Sequence, residues 1–268
     1  MIDALEKIIR TAGAEIMRIY ADDKDITYKA DESPLMAADL AAHRIIIEGL
    51  KQLTPDVVII SEEDRELDRW KKGDFPEQFW LVDPLDGTKE FVKGTGEFTV
   101  NIALVQQGYP ALGLVYAPVL ETLYVGEIGQ GAWKQTGEVK RESISVGIAQ
   151  IEAPIFVASK DHAGPAVAKL LAQHSHAKTR SMGSSLKFCL LAEGGADVYL
   201  RDLPTMEWDT AAAQCVVEAA GGQVQTLTGE RFKYAKAGLR NPGFVALSVG
   251  ARELLTGVDL SLSPSTEI

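Results

Sequence analysis

The sequence predicts an α/β (α+β) protein, and three patterns along the chain support this prediction. Two amphipathic helical patterns occupy residues 2–20 and 34–53. Residues 98–128 contain β-rich segments separated by Gly and Pro turns, which is typical of an antiparallel meander. Beyond residue 150, strand and helix patterns alternate, which indicates helices layered on a sheet.

The chain order gives the expected elements. Pro34 suits the first position of the second helix, and short apolar strands at 57–60 and 79–83 follow it. The polar stretch 135–150 is predicted to be strand-poor, so we expect an N-terminal α+β part over 1–140 that carries a metal site and a C-terminal α/β part over 141–268. In the second part we predict strands at 154–159, 177–181, 197–200, 222–227 and 243–249, and helices at 163–173, 184–194 and 209–222.

Composition excludes several classes of protein. The 268 residues are 46% hydrophobic and 24% charged, as in ordinary globular proteins, with a net charge of −11. That charge argues against a nucleic-acid polymer as partner, although a small-molecule anion can still bind beside local cations. No signal peptide or membrane-spanning run is evident, so we expect a cytoplasmic protein. Peripheral attachment at the inner membrane, and the choice between monomer and homodimer, are left open.

Two acids lie on one predicted turn. The strand at 79–83 is expected to end at Asp83, Pro84 is expected to stop regular pairing, and Asp86 follows three residues after Asp83. Carboxylates held this close repel each other unless a cation lies between them. A hard divalent cation fits such oxygen ligands, and Thr88 adds a hydroxyl nearby.

Three further acids are candidates with ordinary alternatives. Glu62 lies just beyond the strand at 57–60, after Ser61, and Asp209 opens a predicted helix, where capping alone would explain an Asp. Asp39 lies within the second helix among alanines, and a solvated helix carboxylate would explain it equally well. The stretch GSSLKF at 183–188 combines glycine, two serines and a lysine at a helix start, which suits phosphate, but a plain helix cap has the same pattern.

Three segments together resemble the signatures of the inositol monophosphatase-like, lithium-sensitive metal phosphatases. They are SEED at 61–64, WLVDPLDGTKEF at 80–91 and MEWDTAAA at 206–213. GSSLKF, together with SPLMAADLAAH at 33–43 and NPGF at 241–244, is similar to the branch of that family that acts on bisphosphate nucleotides. The resemblance implies a layered αβαβα sandwich with two subdomains.

The resemblance also implies roles for individual residues. The metal ligands would be Glu62, Asp83, Asp86, Asp209 and the backbone carbonyl of Leu85, holding two Mg²⁺ ions, with a third left open. Oxygen-only ligation of this kind favours Mg²⁺ over zinc. The catalytic set would be Asp39, Thr88 and Glu62, with Thr88 and Asp39 orienting the attacking water. The substrate-binding set would be Glu62, Leu85, Asp86, Gly87, Thr88, Gly183, Ser184, Ser185, Lys187 and Asp209.

One position departs from the pattern. Glu207 precedes the Trp-Asp pair, where relatives often carry an uncharged residue, and we expect it at the rim of the site. The implied activity is removal of the 3′-phosphate of adenosine 3′,5′-bisphosphate to give AMP, with the phosphosulfated nucleotide as an open second substrate, in sulfur assimilation. An inositol monophosphatase is the alternative enzyme. A non-catalytic nucleotide sensor would need a damaged ligand set, and all the expected ligands are present.

Overall fold

The computed structural model describes residues 1–22, 34–158, 164–258 and 260. No helix in these ranges is long and apolar enough to cross a membrane. The α-helices are α1 (Ile2–Asp22), α2 (Pro34–Leu53), α3 (Thr88–Val92), α4 (Pro165–Gln173), α5 (Leu186–Ala192) and α6 (Ala211–Ala219). The strands are β1 (Val58–Ser61), β2 (Gln78–Asp86), β3 (Thr99–Gln106), β4 (Tyr109–Ala117), β5 (Thr122–Glu127), β6 (Gly131–Thr136), β7 (Glu142–Ile144), β8 (Ile155–Ala158), β9 (Lys178–Ser181), β10 (Val198–Arg201), β11 (Thr205–Met206), β12 (Gln223–Thr226), β13 (Arg240–Asn241) and β14 (Phe244–Leu247).

The N-terminal half forms a seven-stranded sheet in the order β1 to β7. β1 and β2 are parallel, and each later neighbour is antiparallel, as the predicted meander requires. Helices α1 and α2 cover one face, because the apolar side of each helix buries residues such as Leu5 and Ile46 against Trp80 of β2. The predicted helix over 34–53 is confirmed.

Helix α6 covers the opposite face at unusually short range. A Cβ atom on Gly113 of β4 would lie 2.2 Å from the carbonyl oxygen of Ala212, so only glycine fits at that position. Small residues on both sides therefore allow the helix backbone to rest on the sheet. This close contact explains the alanine-rich sequence of α6.

A five-stranded sheet in the order β12-β14-β10-β8-β9 packs on the other side of α5 and α6. Helix α4 covers its outer face through Ala166, Val167 and Leu170. The layers are thus α1/α2, first sheet, α5/α6, second sheet and α4, which is the predicted αβαβα sandwich.

Two predictions about the first sheet are wrong. β2 does not stop at Pro84 but continues to Asp86, because a shift of register between Asp83 and Asp86 accommodates the proline. The stretch 135–150 is not strand-poor, since β6 ends in it and β7 lies within it at the sheet edge, where exposed polar residues are tolerated. The division at 140/141 falls just before β7, and two subdomains with that boundary stay a prediction.

Candidate active site

The end of β2 supplies the first two acids. Asp83 is only 1% exposed, and its Oδ1 accepts the backbone N–H of Leu85 at 3.0 Å, which closes the turn. Gly87 has φ = 102°, and a Cβ atom there would lie 3.1 Å from the Cα of Phe98. Glycine is therefore required between the second acid, Asp86, and α3, which begins at the exposed Thr88.

Glu62 reaches the same end of the sheet because β1 and β2 run parallel. Its backbone N–H donates to the carbonyl oxygen of Val82 at 3.1 Å. The buried hydroxyl of the preceding Ser61 lies 2.9 Å from Nδ1 of His43, which belongs to α2. Helix α2 and the segment that carries Glu62 are thus joined by a hydrogen bond.

Asp209 was predicted to open a helix, but it lies in the turn before α6, which begins at Ala211. Its Oδ2 accepts the N–H of Met206 at 2.7 Å, and Thr210 occupies the position before the helix. The backbone carbonyl of Asp209 accepts the hydroxyl of Ser185 at 3.0 Å. The turn therefore brings this acid next to the N-terminus of α5.

The acids influence one another strongly. Burial, followed by repulsion from Asp86, raises the pKa of Asp83 well above its ordinary value and that of Asp209 to about 8. Burial also raises the pKa of Asp86, which Lys187 partly offsets. Glu62 is more exposed than the others, yet the surrounding protein atoms and then Asp86 still raise its pKa to about 7.

These acids fit a divalent cation in chemistry and charge. The ligand atoms are all oxygens, and mutual repulsion is what a bound cation would relieve. Within the described ranges no three acidic, His or Cys side chains already lie at coordinating distance. Repulsion from Asp86 contributes, after burial, to the raised pKa values of Asp83 and Asp209, and a cation held by these acids would relieve it.

Asp39 lies beside Glu62 and Glu63 on the α2 side. Burial, followed by repulsion from Glu63, raises its pKa to about 8. Its Oδ1 is buried without a hydrogen-bond partner among the described residues. The indole Nε1 of Trp208 is also buried without a hydrogen-bond partner there, but its N–H still favours the charged form of the Glu62 carboxylate. No described hydrogen bond joins Asp39 to Thr88, so their pairing stays a prediction.

The stretch 183–188 makes contacts that the sequence did not reveal. Gly183 donates its N–H to Oε2 of Glu97 at 2.9 Å, and a Cβ atom there would lie 2.5 Å from the Glu97 carbonyl oxygen. Ser184 lies 3.1 Å from the hydroxyl of Thr99, and Ser185 donates to Asp86. These contacts hold the site together, and direct contact of this stretch with substrate stays a prediction.

A cavity of about 160 Å³ opens beside Asp86 and Asp209. Lys187 lines it, is 7% exposed, and donates from Nζ to the carbonyl oxygen of Met182 at 3.3 Å. Burial lowers the pKa of Lys187 to about 8, against the opposing effect of Asp86. Arg201 at the end of β10 lines the same cavity. A larger cavity of about 490 Å³ between α2 and β1 contains none of the predicted site residues.

The expectation that Glu207 lies at the rim is wrong. Its side chain is fully buried, its carboxylate accepts the N–H groups of Ala235 and Lys236 at 3.0 and 2.9 Å, and it forms an ion pair with Lys236 Nζ at 2.6 Å. A buried acid persists here because it is fully paired. Glu207 thus anchors the turn that carries Asp209.

Sequence reasoning missed three polar residues at this end of the sheets: Thr99, Asn101 and Arg201. Thr99 and Asn101 are polar residues two positions apart in a strand that is buried except at its last residue, and such an alternation indicates one shared face. That signal was available. Arg201 carried no signal, because only the packing of the second sheet places it beside Lys187.

Comparison with known proteins identifies relatives along nearly the whole chain. The Inositol monophosphatase family model matches residues 1–253. The 3′(2′),5′-bisphosphate nucleotidases CysQ of Escherichia coli K12 and Salmonella typhimurium are 45% and 44% identical over 247 residues, covering 91% of this chain and 98% of theirs.

Solved structures give the same result. CysQ from Bacteroides thetaiotaomicron, a bacterial member of the inositol monophosphatase family, has a TM-score of 0.81 at 40% identity, covering 91% of this chain and 96% of its own. The inositol monophosphatase of Anabaena has a TM-score of 0.73 at 22% identity, covering 96% and 95% of the two chains, and at that identity it supports the fold alone. This chain therefore belongs to the inositol monophosphatase family.

Proposed function

We propose that this protein is a Mg²⁺-dependent 3′(2′),5′-bisphosphate nucleotidase that removes the 3′-phosphate of adenosine 3′,5′-bisphosphate to give AMP and phosphate. The named relatives at 44–45% identity support this activity. We further propose a place in sulfur assimilation, a cytoplasmic location and sensitivity to Li⁺, all by analogy with the family.

One structural observation favours a substrate with two phosphates. Lys187 is almost completely buried, donates to the carbonyl oxygen of Met182 rather than to a carboxylate of the described residues, and lies with Arg201 in the cavity next to Asp86. Attraction to Asp86 and to the Tyr199 ring, whose centroid lies 5.8 Å from Nζ, compensates the charge of Lys187 only in part, so a further anion in the cavity would bind favourably. A second phosphate of the substrate supplies that anion while the first lies at the carboxylates.

The ligands proposed for Mg²⁺ are Glu62, Asp83, Asp86, Asp209 and the carbonyl of Leu85, holding two ions with a third left open. Bound Mg²⁺ would polarise the phosphoryl group and lower the pKa of a water molecule. Thr88, together with Asp39, would orient the attacking water, and Gly87 and Thr88 would bind the phosphate through backbone N–H groups at the start of α3. Lys187 and Arg201 would fix the remaining part of the substrate.

The direct test is phosphate release from adenosine 3′,5′-bisphosphate, inositol 1-phosphate and fructose 1,6-bisphosphate, each with Mg²⁺ and with added Li⁺. We expect the nucleotide to give the highest kcat/KM and Li⁺ to inhibit. A preference for inositol 1-phosphate would instead support the alternative, an inositol monophosphatase with the same carboxylates. No turnover of any of the three would contradict both.

A further inference from the structure

Four hydrogen-bond donors converge on a single oxygen of Asp86. The backbone N–H of Ser185 donates to Oδ2 at 2.8 Å and Asn101 Nδ2 donates to it at 3.4 Å, while the hydroxyl groups of Ser185 and Thr99 lie 3.0 and 3.4 Å from the same oxygen. No described hydrogen bond reaches Oδ1. The carboxylate is therefore held in one orientation, with one oxygen saturated and the other available.

The ladder between β2 and β3 explains why these donors meet there. Asn101 lies opposite Asp83, and Thr99 lies opposite Asp86, because the register shifts between the two acids. Thr99 and Asn101 are two residues apart on one strand, so their side chains share the face that looks toward α5 and α6. Both are buried, at 0% and 1% exposure.

Asn101 controls the orientation of the Ser185 hydroxyl. The two hydrogens on its Nδ2 reach Ser185 Oγ at 3.0 Å and Asp86 Oδ2 at 3.4 Å, which fixes the amide, and its Oδ1 lies 3.3 Å from the Thr99 hydroxyl. Because Ser185 Oγ receives that hydrogen bond, its own hydrogen must go to an acceptor. The acceptors within reach are Asp86 Oδ2 and the backbone carbonyl of Asp209, each at 3.0 Å.

We propose that Asn101 is a positioning residue of the metal site. It orients Ser185, and through Ser185 it fixes Asp86 so that Oδ1 faces the cation. The same serine holds the turn that carries Asp209 beside Asp86. The inference rests on the metal site of the proposed function and adds to it a buried amide that contacts neither metal nor substrate. Groups that orient a ligand in this way affect metal affinity by about 10- to 100-fold when removed.

The test is Mn²⁺ binding to the full-length protein, measured by calorimetry and electron paramagnetic resonance without substrate. We expect Asn101→Leu and Ser185→Ala each to weaken at least one Mn²⁺-binding step by about 10- to 100-fold. Because Asn101 acts through Ser185, the double variant should bind Mn²⁺ with the same affinity as the single variant that binds it less tightly. Thr122→Val, which removes a buried hydroxyl of β5 in the same sheet away from the site, should bind as wild type.

Circular dichroism and thermal unfolding establish that each variant folds. If Asn101→Leu does not fold, Asn101→Thr, which suits a strand but is too short to reach Ser185, gives the same comparison. Wild-type Mn²⁺ affinity in a folded Asn101 variant, or additive losses in the double variant, would overturn the role of Asn101 while leaving the metal site intact. A wild-type protein that binds no Mn²⁺ would overturn both.

Discussion

The carboxylate of Asp83 accepts the backbone N–H of Leu85 at 3.0 Å, so the turn is closed by the same side chain that is proposed to bind metal. Only one oxygen of Asp83 is needed for that bond. An asparagine at this position keeps an oxygen that accepts the N–H but loses the negative charge. Turn geometry and charge can therefore be separated experimentally.

We expect Asp83→Asn to lower turnover by about 10³-fold, because several kcal/mol of electrostatic stabilisation depend on the metal. In EDTA the same variant should resist urea better than wild type, since an amide, unlike the Asp83 carboxyl group, needs no bound proton to be buried beside Asp86 and Glu62. Asp56→Asn, at an exposed acid that precedes β1 while Glu62 follows that strand, is the matched control and should change neither property. Near-normal phosphatase activity of Asp83→Asn at saturating Mg²⁺ would contradict the metal assignment.

The stability of the metal-free protein should fall as the pH rises. Asp39 and Asp209 have pKa values of about 8 in the folded protein against an ordinary 3.8, so their contribution is fully present below about pH 4 and is lost as the pH approaches 8. Urea unfolding in EDTA between pH 5 and 9 measures this loss. Added Mg²⁺ should stabilise the protein more at pH 8 than at pH 5. A metal-free protein that gains stability from pH 5 to 8 would contradict the proposed carboxylate repulsion.

Lys187→Met should reduce kcat/KM for adenosine 3′,5′-bisphosphate by about 10- to 100-fold, the value of one charge-assisted hydrogen bond. Adenosine 3′-monophosphate lacks the second phosphate, so its kcat/KM should change far less. Because the pKa of Lys187 is about 8, the preference of wild type for the bisphosphate should also weaken above that pH. Equal losses on both substrates would place Lys187 at the reacting phosphate instead.

Glu207→Gln should lower the free energy of unfolding by about 1–3 kcal/mol, because one amide oxygen cannot replace a carboxylate that accepts two N–H groups and pairs with Lys236. Chemical denaturation measures the change. Glu218→Gln removes an acid whose ion-pair partner Arg231 is half-exposed, and it should lower the free energy of unfolding by less. We expect weaker Mg²⁺ activation in the Glu207 variant, since the Asp209 turn loses its anchor. Wild-type stability would show that this anchor is not needed.

The sequence by itself determined the class of fold and most of the elements. Helical periodicity placed α2, and alternation and turn residues placed the meander and the later α/β layers, because these patterns depend on residues close together in the chain. The acids at the ends of β1 and β2 were also evident, since Asp83 directly follows an apolar run and Glu62 and Asp86 come within three residues of one.

Tertiary structure decided which groups act on one another. The register shift that carries β2 past Pro84 sets Asn101 opposite Asp83 and Thr99 opposite Asp86, and no local pattern encodes that pairing. Glu207 was expected at the rim but is buried, because segment 235–236 folds over it. Lys187 and Arg201 meet only when the second sheet packs behind α5. Burial, charge partners and cross-strand contacts are properties of the packed chain, and they are what give these residues their chemistry.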